Sequence, residues 1–408
     1  MSCPLLKVAM VGHVDHGKST LIGRLLLDTR SLPDGKMKEI QNISKDLGKE
    51  AELAYLTDQF REERESNMTI DTTQVFFKTR KAHYVIIDSP GHVEFIKNML
   101  TGATQADAAI LIVDVLEGLK EQTCRHAFLV DLLGIKKLVV VFNKMDLVKY
   151  EKAAFVEKRT ALLKFFKGLN VKPLNVIPVS AKESVNISKR SPKTRWYQGP
   201  TLLEALDALA PAVKSSCAYL RFPVQDIYDI QGQKILAGQI LAGQVAAGQH
   251  IILLPSMQSA VVKSIKVFGK SPKKAAAGEN IGLVLKGPIS AERGEVIVEN
   301  KCSPVPTTHF TGNVFWISDL PLRVDALVTL RCATQELRGR VAGIRNRMNS
   351  STLEILETSA CRLNANETGV VSFVTEKPAV VEGAGSVSGL ERFVIEQDLQ
   401  LQGAGIIS

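Results

Sequence analysis

"GHVDHGKST", residues 12–20, matches the pattern G-x-x-x-x-G-K-[ST] from Gly12 to Ser19. An apolar run, "LLKVAMV", leads into it, and an amphipathic stretch, "STLIGRLLLD", leaves it. Strand, glycine-rich loop and helix in that order aim backbone N–H groups and a helix N-terminus at one point, where they cradle phosphate oxygens. Lys18 is expected to reach the β- and γ-phosphates, and the Ser19 hydroxyl to bind Mg²⁺. His13 and His16 lie inside the loop, where their spacing favours structural roles over metal ligation. Asp15 is a candidate for a monovalent cation beside the phosphates.

Three further motifs close apolar runs. "VIIDSPGH" ends a strand on Asp88, which can hold Mg²⁺ directly or through water. Gly91 supplies a hinge whose N–H can meet a γ-phosphate and fall away once it is gone. "NKMD", residues 143–146, places Asp146 to accept two hydrogen bonds from the N1–H and N2–H₂ edge of guanine. Adenine has no such donor pair, so ATP would leave the carboxylate unpaired. The Lys144 stem would lie on the base, and Asn143 would brace the loops. "SAK" (Ser180, Ala181, Lys182) ends the last strand, with the Ala181 N–H placed for the guanine O6. Motifs in this order at strand C-terminal ends predict a GTP site. Thr69, in "EERESNMTID", is the candidate threonine that closes on Mg²⁺, on a switch loop that orders with GTP. His92 is the candidate catalytic residue, orienting the attacking water. A surface imidazole is the alternative. Phosphoryl transfer asks the protein to position water and stabilise charge, so one such side chain suffices.

The first half alternates apolar strands with helical stretches. This predicts an α/β P-loop GTPase domain over residues 1–212, with a mainly parallel sheet and helices on both faces. "TTQVFFK" and "HYVIID" read as a hairpin pair, and "GPTLLEALDALAP" as a last helix stopped by Pro211. Beyond it, long helical periods vanish and short β-rich runs recur between glycines and prolines. Two all-β barrel domains are expected, over 217–301 and 308–408, with "CSPVPTTH" as the linker.

Composition is that of a globular chain, 45% hydrophobic and 23% charged. No apolar run of about 18 residues appears, so no membrane span is expected. The N-terminus shows no leader pattern. The six cysteines are scattered, without a C-x-x-C pair, which fits a reducing cytoplasm. The net charge of +9 is spread along the chain, and its densest stretch is "KRSPKTR", residues 189–195. That stretch is either a solvated loop or a basic face for RNA or another polyanion.

"GHVDHGKST", "DSPGHVEFIKNM" and "NKMDLV", followed by two barrels, resemble the translation-factor class of GTPases across essentially the whole chain. The resemblance implies that Gly12 to Thr20 form the phosphate loop and that Thr69 senses Mg²⁺. It implies that His92 is the hydrolysis histidine, with Val14 and Met68 as its apolar gate, and that Asn143, Lys144 and Asp146 clamp guanine. Two branches compete. Elongation factor Tu and its archaeal and eukaryotic counterpart share the length and domain order, with aminoacyl-tRNA and the ribosome as partners. The large subunit of bacterial sulfate adenylyltransferase is more similar in "STLIGRLLLDT", "RHAFLVDLLGIKKLVVVFNKMDLV", "RWYQGPTLLEALD", "ILLPSMQSAVVKSI", "SAERGEVIV" and the ending "LNANETGVVSFVTEKP". The expectation is therefore a GTPase subunit that drives adenylyl sulfate synthesis by a small ATP-sulfurylase subunit in a heterodimer. Two departures stand out. His13 and His16 replace the Ser and Asp of many sulfurylase subunits, and "SNMTI" replaces the usual R-G-I-T-I at Ser66 and Asn67. No H-x-G-H adenylylation motif and no second phosphate loop are present.

Overall fold

The computed structural model describes residues 5–13, 15–32, 73–88, 106–209, 219–230, 232–267, 270–287, 289–387, 389–397 and 400–408. Val14, Thr69, Gly91 and His92 lie outside them, as does the side chain of Asp88. Met1–Ala212 with Ser350–Leu353 form one compact unit, and Val213–Asn349 with Glu354–Ser408 another.

The first unit is built on six strands: β1 (Leu5–Gly12), β2 (Thr73–Lys78), β3 (His83–Asp88), β4 (Ala108–Asp114), β5 (Leu138–Asn143) and β6 (Pro173–Pro178). They lie in the order β2-β3-β1-β4-β5-β6. All neighbours are parallel except β2, which forms the expected antiparallel pair with β3. Among the described residues, the helices α1 (Lys18–Asp28), α2 (Glu121–Leu132), α3 (Lys152–Phe166) and α4 (Leu202–Leu209) belong to it. β4, "AAILIVD", is buried at every position. A central strand covered on both faces needs such an unbroken apolar run. Ile110 and Ile112 face a core shared with Leu21 and Leu25 of α1 and Leu202 and Leu206 of α4. From the other face, Phe142 of β5 meets Phe155 of α3 edge-on, ring centres 5.7 Å apart. A reciprocal capping box starts α4: Thr201 N–H donates to Glu204 (2.8 Å), and Glu204 N–H to the Thr201 hydroxyl (3.2 Å).

Parallel pairing decides where the site falls. Gly12 pairs in register with Ile112, Met10 with Asp88, and Asp114 with Asn143. The C-terminal ends of β1, β3, β4 and β5 therefore share one edge of the sheet, where ligands of open α/β sheets bind.

The second unit holds two β-barrels. In the first, seven antiparallel strands run from Arg221–Pro223 to Asp226–Ile230, around Phe222, Leu236, Leu253, Val262 and Leu283. Arg221 N–H donates to Ala242 O (3.0 Å) and Leu241 N–H to Arg221 O (2.8 Å), tying the first strand back to the sheet's far side. In the second barrel, Leu327–Cys332 pairs with both Arg392–Gln397 and Gln335–Asn349, which closes the ring. Gln335–Asn349 alternates buried and exposed residues through its first half. That is the period of a strand with one face in a core and one in water. The core holds Trp316 with Phe310, Phe373 and Phe393, whose three rings lie 5.5 to 5.8 Å apart. The barrels, expected as separate domains, share one unit and an apolar seam of Leu254, Val296, Val298, Val380, Val387 and Leu390. A buried Arg221–Glu382 ion pair spans the same seam. Among the described residues, no helix is long and apolar enough to cross a membrane.

Candidate functional site

The phosphate loop turns from β1 into α1 through Gly12 and Gly17. Gly17 caps the helix at φ +85°, in the left-handed region, and a Cβ there would lie 2.4 Å from Asn143 Nδ2. A Cβ on Gly12 would lie 2.5 Å from the Ile112 carbonyl oxygen. Both positions exclude a side chain. The first turn of α1 carries no acidic residue, so the positive end of its dipole stays available to an anion. The Lys18 ammonium donates to Gly12 O (2.8 Å) and His13 O (2.9 Å), curling the loop around a single buried cation. These features suit a polyphosphate.

The Ser19 and Thr20 hydroxyls, in the same helical turn, make no protein hydrogen bond among the described residues. Ser19 is an oxygen donor of the kind Mg²⁺ takes. The backbone of Asp88 pairs with Met10 at the same edge of the sheet. The Ser19 hydroxyl fits the ion as one such donor.

The loop histidines have protein partners. His16 is buried, with Nδ1 3.2 Å from Ile112 O and Nε2 3.3 Å from a Glu117 carboxylate oxygen. Its ring stacks on His13, centroids 5.2 Å apart. Burial, the largest influence, holds the His16 pKa below the usual imidazole value. Asp15 is exposed at the loop tip, at φ 56°.

At the base end, Asn143 spans both sides of the site. Its Nδ2 donates to His16 O (2.9 Å) in the phosphate loop, and its Oδ1 accepts from Ala181 N–H (3.0 Å). The Ala181 N–H therefore braces Asn143, and a guanine O6 would have to share it. The Ser180 hydroxyl donates to Asp146 Oδ1 at 2.6 Å, fixing the plane of the carboxylate that would read the base. Lys144, at φ 63°, pairs with Asp114 at 2.8 Å, which holds its stem in place. Lys182 is exposed beside this loop.

Sequence reading missed Asp114 and Arg24. Asp114 ends β4 as Asp88 ends β3, and that shared position could have flagged it. Its other carboxylate oxygen accepts from Leu116 N–H at 2.8 Å. Arg24, on α1, donates to Ala181 O (3.2 Å) and Lys182 O (2.8 Å). No local pattern announces a partner more than 150 positions away.

Taken together, sheet, loop and barrels are those of a P-loop GTPase followed by two β-barrels. The family model of the elongation factor Tu GTP binding domain matches residues 4–212, and that of the GTP-eEF1A C-terminal domain matches residues 309–408. Elongation factor 1-alpha of Archaeoglobus fulgidus is 35% identical, over 98% of this chain and 97% of its own. The proteins of that name from Aeropyrum pernix and Thermococcus sibiricus are also 35% identical, over 99% of this chain and 96% and 97% of theirs. The chain belongs to the elongation factor Tu/1-alpha family of GTPases. These relatives overturn the expected sulfate adenylyltransferase subunit, and with it the small ATP-sulfurylase partner and the coupling to adenylyl sulfate synthesis. Parts of the stretches behind that expectation form core. "STLIGRLLLDT" is largely α1, "RHAFLVDLL" lies in and just past α2, and "LVVVFN" is β5, buried throughout. Such residues report the shared fold and not the partner.

Proposed function

We propose that this chain is a translational GTPase of the elongation factor 1-alpha type, binding aminoacyl-tRNA in its GTP form and releasing it at the ribosome after hydrolysis. The observation that carries the reading is the guanine end. Asp146, bonded to Ser180, and Asn143, bonded to both loops, suit a base clamp in a chain that matches elongation factors 1-alpha over nearly its whole length.

In this reading Lys18 neutralises the β- and γ-phosphates, and Ser19, Thr69 and Asp88 hold Mg²⁺. Mg²⁺ would supply charge neutralisation at the phosphates. His92 orients the water whose oxygen bonds to the γ-phosphorus as the bond to the β–γ bridging oxygen breaks, leaving GDP and phosphate. Gly91 loses its contact when the γ-phosphate leaves.

The first barrel adds a cleft of about 800 Å³. It is lined by Ile227, Leu236 and Leu285 together with Lys234, Lys263 and Lys286. Apolar surface beside lysines is the chemistry that takes bases and their phosphates. This supports a nucleic-acid partner.

The test is protection of the aminoacyl ester. With GTP the protein should slow hydrolysis of aminoacyl-tRNA, keep doing so at moderate salt, and fail with GDP. Binding that collapses with salt, as for any polyanion, and leaves the ester unprotected would remove the translational reading.

A further inference from the structure

Tyr150 lies four residues beyond Asp146 and has no place in the motifs. Lys149 and Tyr150 are consecutive left-handed residues, at φ 50° and 60°. Tyrosine rarely adopts that conformation, and its cost must be offset by contacts it secures. Those contacts converge on the guanine clamp. The Tyr150 hydroxyl donates to Glu183 and lies beside Ser180 and Asp146. Glu183 N–H donates to Ser180 Oγ at 3.2 Å, the same oxygen that donates to Asp146 at 2.6 Å. Bonds between Ser180 and Val185, 3.0 and 3.3 Å, close the turn that carries both residues. Lys193, from the basic stretch, pairs with Glu183 and sits 5.1 Å from the Tyr150 ring centre. The Tyr150 carbonyl accepts from Trp196 Nε1 at 2.9 Å, and Trp196 packs on Phe155, itself against Phe142 beside Asn143.

We infer that Tyr150, Glu183 and Lys193 are positioning residues for guanine specificity, fixing Ser180 and through it the Asp146 carboxylate that reads the N2 amino group. The inference rests on the guanine-site reading. Lys193, and then Tyr150, hold the Glu183 pKa below the usual carboxylate value, so the acceptor stays charged. Lys193 thereby gives one residue of "KRSPKTR" a task within the nucleotide site.

Inosine diphosphate is the discriminating probe. It keeps the N1–H and both phosphates of GDP but lacks the N2 amino group. A loosened Asp146 loses two hydrogen bonds to GDP and one to inosine diphosphate, so the ratio of the two affinities falls. A structural defect elsewhere would weaken both together. Tyr150→Phe keeps the ring and removes the hydroxyl, and Glu183→Ala removes the acceptor. Each should lower the GDP-to-inosine-diphosphate affinity ratio about fivefold, as expected for one hydrogen bond. Glu183→Gln, which keeps an acceptor, should restore part of it. Asp146→Asn, scored for preference between GDP and xanthosine diphosphate, is the control. If it switches base while Tyr150→Phe and Glu183→Ala leave the ratio at wild type, the inference is overturned and the guanine site stands. If it does not switch, the guanine-site reading itself fails. Should Tyr150→Phe not fold, Glu183→Ala decides alone.

Discussion

In the proposed nucleotide site, the phosphate end and the base end are built from different materials. The phosphate end is main chain: two glycines, the start of α1 and a lysine clasped by carbonyls. The base end is side chain against side chain, Ser180 on Asp146 and Lys144 on Asp114. A site made of backbone tolerates no added volume. A site made of side chains can change what it recognises without losing its shape. Asn143 belongs to both, bonding His16 O on one side and Ala181 N–H on the other.

The largest expected effect tests the first half of that contrast. Gly17→Ala forces a left-handed alanine, at about 1–2 kcal/mol, and drives its Cβ into Asn143 Nδ2. GDP and GTP affinity should both fall about 100-fold or more, roughly 2.7 kcal/mol. Calorimetric titration showing wild-type binding would mean that the loop rearranges at little cost.

Asp146→Asn comes next, and here loss should give way to exchange. The amide can donate to the carbonyl of xanthine where the carboxylate accepted from the guanine amine. Preference should move toward xanthosine triphosphate by about tenfold or more, one to two hydrogen bonds to a charged group. Unchanged preference in a competition assay would take Asp146 out of the base site.

Arg24→Ala probes the strut between α1 and the base loop. It removes two bonds from the middle of α1 to the carbonyls of Ala181 and Lys182. The GDP dissociation rate should rise only about three- to tenfold, the worth of about one net hydrogen bond. A loss as deep as that of Gly17→Ala would show that the two ends cannot be separated.

The smallest effect near neutral pH concerns His126 of α2. Burial, followed by the nearby Lys18 charge, lowers its pKa to about 3. The unfolded chain protonates this imidazole near 6.5, so stability present above that pH is lost as pH falls toward 3. Little should change from pH 8 to 7. Below pH 6.5 the urea midpoint should drop, and His126→Gln should flatten the acid limb by about one proton. His16, shifted the same way, adds to the same limb. An acid limb identical in the variant would assign that proton elsewhere.

Much of the frame was written in contiguous residues. The P-loop pattern, the unbroken apolar run of β4 and the alternation of Gln335–Asn349 are local properties, because strand and helix periods are set by neighbours in the chain. The ends of β1, β3 and β5 could be assigned to one site because parallel pairing leaves them no other edge. The branch of the family was misread from short stretches of likeness, part of them core, and a fold shared by both branches does not report the partner.

What only the tertiary structure decided are the pairings across long stretches of chain. The Arg221–Glu382 pair joins residues 161 positions apart. Asn143 bonds His16 from 127 positions away, and the second barrel closes where Leu327–Cys332 meets Gln335–Asn349. The Ala181 N–H shows the difference in one atom: "SAK" offered it as a donor, but its acceptor, Asn143 Oδ1, was not legible. A motif fixes which groups are offered, whereas packing fixes which partner lies within about 3 Å and in line, and a hydrogen bond requires both.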